Sequence, residues 1–351
     1  MASGRTTSKN LTVAVTGPTG DIGKAFVRAL EKEKDVKRVI GMARRPFVPA
    51  NEGLVKTEYL QGDVLDRAAV EHLVAEADVV VHLAFLIIGS AQQSRLTNLE
   101  GSRNVFEATA ASAKAKRLIY TSSVAAYGFH DDNPDLLTEE VPTRGSEEHP
   151  YSHQKAEVEE LLGNLTGHTD LDVYVFRPCI VAGPTALSLI QEIPYVRIGE
   201  RLPDAIRKIV GALPLLRPVI PDPGLVFQLV HEDDVASALV AGVLGKGYGG
   251  AYNLAGEGDI TMSDLANALG WYSVPVPDLA VDATVAVISK LPLMPARAAW
   301  ATALRVPVLM DTSKARAELL WEPRHDALGT LATTVQAARE TGLLGRKHPD
   351  D

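Results

Sequence analysis

The chain has 351 residues, 46% of them hydrophobic, enough for one large or two modest domains around a substantial core. Lys and Arg total 35 against 44 Asp and Glu, a net charge of −9, so no basic field exists to draw in nucleic acid or an anionic lipid surface. Residues 1–10 are polar and lack the apolar core of a signal peptide, and the single cysteine, Cys179, has no internal disulfide partner, so a cytoplasmic location is expected.

The apolar run 11–15 opens directly into Thr16-Gly17-Pro18-Thr19-Gly20-Asp21-Ile22-Gly23, and a helix-like stretch, 24–33, follows. Strand, glycine turn and helix in that order read as a dinucleotide-binding loop. Bare backbone at Gly17 and Gly20 admits a phosphate to the positive end of the helix dipole, and Gly23 permits close helix-to-sheet packing. The Gly-x-x-Gly-x-x-Gly spacing has a first gap one residue longer than the commoner pattern, so the strand and helix flanks carry the assignment. Thr19, Asp21 and Ile22 complete the predicted contact set.

A second strand, 38–42, runs into Ala43-Arg44-Arg45-Pro46. An acidic residue at this point bonds the adenosine ribose of NAD, whereas arginine accommodates a 2′-phosphate. No carboxylate is present and two guanidinium groups are, so Arg44, with Arg45 beside it, predicts NADP over NAD. Further β-rich runs at 55–60, 78–83, 117–121 and 173–176 alternate with helix-like segments, 92–114 the longest. Such alternation predicts an α/β fold, a doubly wound parallel sheet covered by helices on both faces. Val79-Val80-Val81 suits a strand buried on both sides.

After Arg177-Pro178 the alternation stops, and proline and apolar residues crowd 184–223. A smaller, discontinuous substrate-binding domain is expected from 184–225 and 257–345. The dinucleotide-binding domain then takes 11–183 and is completed by about 226–256. The apolar stretch 213–230 is broken by Pro214, Pro218, Pro221 and Pro223 and charged by Arg217 and Asp222, so it reads as a pocket-lining loop rather than a membrane segment.

Tyr151 and Lys155 stand four apart, on one face of the helix suggested by 155–162. A phenol is a poor proton shuttle at neutral pH, but a nearby ammonium favours the phenolate. The Ser122-Ser123 pair, just after the run 117–121, is placed to hold a carbonyl or alcohol oxygen while its charge changes.

With these residues in place the chain resembles the extended short-chain dehydrogenase/reductases, grouped with the NAD-dependent epimerase/dehydratases, over roughly residues 11–256. The likeness rests on the glycine loop, Gly62-Asp63-Val64, Val81-His82-Leu83-Ala84, Asn98-x-x-Gly101-x-x-Asn104-Val105, Tyr120-Thr121-Ser122-Ser123, Tyr151-x-x-x-Lys155, Arg177-Pro178 and Val230-His231-Glu232-Asp233-Asp234-Val235-Ala236, in that order. It implies a Rossmann fold, with Ser123, Tyr151 and Lys155 catalytic. It also implies Asp63 and Val64 at the adenine, Leu83 and Ala84 along the cofactor cleft, Pro178 and Ile180 among the cofactor contacts, and Lys155 on the nicotinamide ribose. Asn98 would be structural or cofactor-supporting.

Departures from the family pattern narrow the activity. Family dehydratases carry an Asp-Glu pair directly after the catalytic hydroxyl residue, where this chain has Val124 and Ala125. Nucleotide-sugar epimerases bear an arginine four residues before the histidine of His-x-x-Asp, where Phe227 stands. They also carry an Asn three residues after the strand-ending arginine, where Ile180 stands. Losing charged partners for a phosphate costs about 1.5 to 3 kcal/mol per hydrogen bond, so a nucleotide diphosphate is a poor fit and Phe227 becomes a substrate contact.

Residues 190–230 and 279–310 are dense in apolar side chains, among them Val285, Ile288, Leu291, Leu293, Met294 and Trp300. They predict an apolar ligand or a homodimer contact, with Arg197, Arg201 and Arg217 as anchors for a carboxylate or phosphate or as solvated surface groups. His149 and His153 flank Tyr151 and are placed to tune it. His231-Glu232-Asp233-Asp234 reads as the capped start of a helix at Val235, and no Cys or His spacing calls for a metal. The expected protein is an NADP(H)-dependent oxidoreductase acting on a carbonyl or secondary alcohol of a largely apolar small molecule. An NAD(P)-dependent sugar or nucleotide-sugar epimerase of the same family is the alternative, and a non-catalytic dinucleotide sensor a more distant one.

Overall fold

Alternating apolar side chains decide which helices each central strand meets. In β1 (Leu11–Thr16), Leu11, Val13 and Val15 enter one core cluster with Ala25, Phe26 and Leu30 of α1 (Asp21–Lys32), while Ala14 enters a second cluster behind the sheet. The computed structural model describes residues 9–87, 91–193, 195–196, 218–276 and 306–344. Within them, β2 (Val36–Ala43), β3 (Thr57–Gln61), β4 (Val79–His82), β5 (Arg117–Thr121) and β6 (Asp172–Pro178) join β1 in a parallel sheet. α2 (Arg67–Val74), α3 (Ala91–Ala111) and α4 (Pro150–Thr166) bury Val70, Phe106, Val158 and Leu162 in the second cluster.

Beyond β6 lie β7 (Ile180–Ala182), α5 (Ser188–Gln191), β8 (Val219–Asp222), β9 (Val226–Phe227) and β10 (Leu229–His231). They are followed by α6 (Glu232–Val243) and β11 (Gly250–Leu254), which completes the sheet in the order β11-β6-β5-β4-β1-β2-β3. α6 packs on α1 and returns Val235 and Leu239 to the first cluster. The doubly wound parallel sheet expected from the sequence is therefore present. β12 (Ile260–Thr261), α7 (Met262–Leu269), β13 (Tyr272–Pro275), α8 (Ser313–Leu319) and α9 (Ala327–Glu340) end the described chain.

A third apolar cluster joins Ile190, Leu229, Ile260, Leu265 and Leu331, with Ile180 and Phe227 packed against it. Arg197, Arg201, Arg217 and residues 279–305, Trp300 included, lie outside the described residues. No helix among those described is long and apolar enough to cross a membrane.

Candidate active site

Strand order reverses between β1 and β4, and ligands in open α/β sheets bind outside the carboxyl ends of the strands at such a point. Here the glycine loop after β1 touches the loop after β4. Gly17 adopts φ +75°, and a side-chain carbon on it would lie 2.9 Å from the Ala84 nitrogen. A Cβ on Gly23 would fall 2.1 Å from the Gly17 carbonyl oxygen, so helix and loop meet there without a side chain between them. α1 begins at an exposed Gly20 with no side-chain cap, which leaves its first amides to a phosphate. This bare cradle fits a dinucleotide. The Asp21 carboxylate accepts from Ser188 Oγ at 2.5 Å, so in this fold that side chain ties α1 to α5. Thr19 is half-buried, and Ile22 packs into the first core cluster.

A buried histidine holds the two loops in register. His82, wholly buried, contacts Thr16 Oγ1 at 2.7 Å through Nδ1 and Ser102 Oγ at 2.9 Å through Nε2. Thr16 Oγ1 also accepts from the Ala84 amide at 3.3 Å, and the Leu83 amide bonds Thr16 O at 3.1 Å. Burial pushes the His82 pKa down to about 3, so the ring is neutral. One turn along the same helix, Asn98 grips Leu86 at both its amide (2.7 Å) and its carbonyl (3.0 Å) and bonds Gln154 of α4 at 2.8 Å. Asn104 fixes Val64 by its carbonyl at 2.9 Å, and Gly101 leaves room for the Val64 side chain. Asp63 Oδ1 accepts from the Leu65 amide at 3.1 Å.

Arg44 and Arg45 are exposed at the end of β2, and among the described residues neither guanidinium has a carboxylate partner. Their carbonyls are held by Gln61 and Tyr59, leaving the side chains to solvent.

Ser123 ends the segment after β5 and caps a single 3-10 turn, Val124–Tyr127, its Oγ accepting from the Ala125 amide at 3.2 Å. Tyr151 lies in the first turn of α4, which starts at Pro150 rather than Lys155, because proline suits the first helical position. The Tyr151 hydroxyl is hydrogen-bonded to Ser123. Burial raises its pKa, and the Ser123 bond works against that rise. Lys155, on the same face and 3% exposed, donates to Thr121 O at 2.9 Å, and burial lowers its pKa to about 7. The Lys155 ammonium also stands over the Tyr151 ring, 5.8 Å from its centroid.

Pro178 closes β6 beside Leu254, and Ile180 opens β7, where it pairs with Leu229. Phe227 pairs with Ile260 across β9 and β12. His149 sets its ring edge-on to Phe129, and His153 faces Glu157 at 3.7 Å. The acidic motif opens α6, as expected from the sequence, with bonds the sequence did not disclose. His231 caps the helix through Nδ1, Glu232 accepts from Thr185, and Asp234 accepts from the Arg324 and His325 amides. A separate cavity of about 530 Å³, lined by Glu139, Arg144, His153, Glu157, Glu160 and Arg177, lies outside this site.

Sequence reasoning missed His82, Phe85 and Gln154 as parts of the site. An apolar Phe-Leu-Ile run directly after the β4 motif was the available signal for Phe85.

A family profile described as "NAD dependent epimerase/dehydratase family" matches residues 13–255. The uncharacterized protein y4nG of Sinorhizobium fredii is 26% identical over 325 residues, covering 90% of this chain and 75% of that protein. Human 3 beta-hydroxysteroid dehydrogenase type 7 is 31% identical over 170 residues, 46% of this chain and 46% of that protein. The crystal structure of UDP-glucuronic acid 4-epimerase from Bacillus cereus in complex with NAD shares the fold, with a TM-score of 0.70, 18% identity, and coverage of 94% of this chain and 99% of that one.

Proposed function

This chain belongs to the NAD dependent epimerase/dehydratase family, and from that premise we propose that it is an NADP(H)-dependent oxidoreductase acting on a carbonyl or secondary alcohol of a largely apolar small molecule. The observation that carries this reading is the gathering of Ser123, Tyr151 and Lys155, with Ser123 bonded to the Tyr151 hydroxyl and Lys155 Nζ 5.8 Å from the Tyr151 ring centroid. When bound, the cofactor supplies hydride exchange at its nicotinamide.

The chain's own residues do the rest. Gly17, Gly20 and Gly23 seat the diphosphate, Asp63 and Val64 border the adenine, and Arg44, with Arg45, takes the 2′-phosphate. Ser123 Oγ receives the Ala125 amide, which leaves its hydroxyl proton to donate to the substrate oxygen. The Tyr151 hydroxyl gives that oxygen a proton on reduction and takes it back on oxidation. Lys155 holds positive charge beside the pair.

Ile180 and Phe227, which border the substrate part drawn from 184–225 and 257–345, stand where polar grips on a nucleotide diphosphate would be needed. Both pack against the third apolar cluster. The human relative is named a hydroxysteroid dehydrogenase, which agrees with redox work on an apolar alcohol. The structural neighbour with NAD is named an epimerase, and that likeness favours sugar epimerisation as a second reading.

A screen of ketones and nucleotide sugars against stoichiometric NADPH and NADH separates the two. Reductase activity predicts NADPH consumption with apolar ketones and exchange with free cofactor. Tightly retained oxidised cofactor, with nucleotide sugars turned over and no net NADPH loss, would establish the epimerase instead. In the same assay Arg44→Ala is expected to lose about tenfold or more of its preference for NADPH over NADH, the worth of one charge-assisted phosphate contact. An unchanged preference removes Arg44 from the 2′-phosphate site.

A further inference from the structure

The Lys155 ammonium is ringed by aromatic faces. Its Nζ lies 3.7 Å from the centroid of Phe85, 5.1 Å from that of Tyr120 and 5.8 Å from that of Tyr151. The Phe85 ring also meets the Tyr151 ring edge-on, with centroids 5.6 Å apart at 88°. One side chain of the β4 loop therefore touches both the lysine and the tyrosine of the site. Its backbone is not free to drift, because Asn98 clamps the next residue, Leu86, at amide and carbonyl.

We propose that Phe85 is a positioning residue, the principal wall of an aromatic cage that keeps the buried Lys155 ammonium charged and directed beside Tyr151. A cation over a ring face is attracted by the negative centre of the π system, and the attraction grows as water is excluded. Lys155 is 3% exposed, so the ring stands in for much of the hydration the ammonium has lost. The other groups facing the ammonium do not replace it. β4 supplies His82, which is neutral. β5 supplies the Thr121 carbonyl at 2.9 Å and the Tyr120 hydroxyl at 3.4 Å. α4 supplies Tyr151 one turn before the lysine and, one turn after it, Glu159, which raises the lysine pKa but is itself paired with Arg177 of β6 at 2.6 Å.

The proposal rests on the reading of Lys155 as a cofactor contact, and its test needs no substrate. NADPH is titrated by fluorescence against the wild-type protein, Phe85→Leu, Phe85→Tyr and Lys155→Met between about pH 6 and 9. Wild-type affinity is expected to fall as pH rises through the lysine pKa. Removing the ring face disfavours the charged form, so in Phe85→Leu the fall begins about half to one pH unit lower, and Phe85→Tyr restores the wild-type midpoint. A melting curve matching wild type at pH 6 shows that Phe85→Leu is folded. A Phe85→Leu midpoint equal to wild type, with Lys155→Met flat, overturns the cage while leaving Lys155 at the cofactor. Lys155→Met retaining the wild-type pH dependence, or a flat wild-type profile, overturns the cofactor reading of Lys155 and the cage with it.

Discussion

Tyr151→Phe is expected to lower kcat by about 10²- to 10⁴-fold while leaving NADPH affinity within about twofold, because the change deletes one oxygen that acts only on the reacting atoms. The hydroxyl is held by Ser123, and the ring by Phe85, so phenylalanine keeps the packing and loses only the proton. Ser123→Ala should cost less, about 10²- to 10³-fold, since Tyr151 remains to bond the oxygen. Steady-state turnover and a binding titration on the same preparations check both. A Tyr151→Phe protein that turns over within tenfold of wild type would refute the proton-transfer role.

Arg177→Ala is expected to destabilise the protein by about 3 to 5 kcal/mol, read as the shift in urea unfolding. Arg177 and Glu159 are each 8% exposed at the side chain and joined by a forked contact, Nη2 at 2.6 Å and Nε at 3.0 Å. Arg177 also donates to the Tyr127 hydroxyl at 2.9 Å, which donates to Asn253 Oδ1 at 2.7 Å, which bonds Leu137 O through its amide at 3.0 Å. One guanidinium thus links β6, α4, the turn after Ser123 and β11. Truncating it leaves the Glu159 carboxylate buried and unpaired, the costly half of the change. Replacing both partners by Met and Leu should recover most of the loss. A single variant within 1 kcal/mol of wild type would show the pair to be dispensable.

Most of the sheet was legible because its strands are buried on both faces. Val79-Val80-Val81 and the run at 117–121 have no solvent side to disguise them, and the structure places strands there. The glycine loop was legible for a different reason: a strand, a bare turn and a helix start are local events that need no distant contact. Tyr151 and Lys155 were visible as a pair by helical spacing alone. The surroundings of Lys155 were not, since Phe85, Tyr120 and the Thr121 carbonyl reach it from 34 to 70 residues away in sequence, through strand order rather than spacing. The short pairings of β7 with β10 and of β8 with β13 were hidden for the same reason. Each joins three- or four-residue segments too brief to carry a period of their own.

The neutral His82 is expected to make this fold sensitive to acid. In the unfolded chain the imidazole takes up a proton near pH 6.5, whereas the folded protein refuses it until about pH 3. Between those values the unfolded state holds the extra proton, so stability is complete above about pH 6.5 and falls with acidification, by up to about 1.4 kcal/mol per pH unit. Urea midpoints of wild type and His82→Gln between about pH 4 and 7 should diverge in slope, the variant being the flatter; parallel slopes would assign the acid sensitivity to other groups. Because the same ring braces Thr16 and Ser102, and Thr16 in turn holds Ala84, the proton that unseats it also parts the two loops of the cofactor cleft. Acid would abolish dinucleotide binding and the fold in a single step.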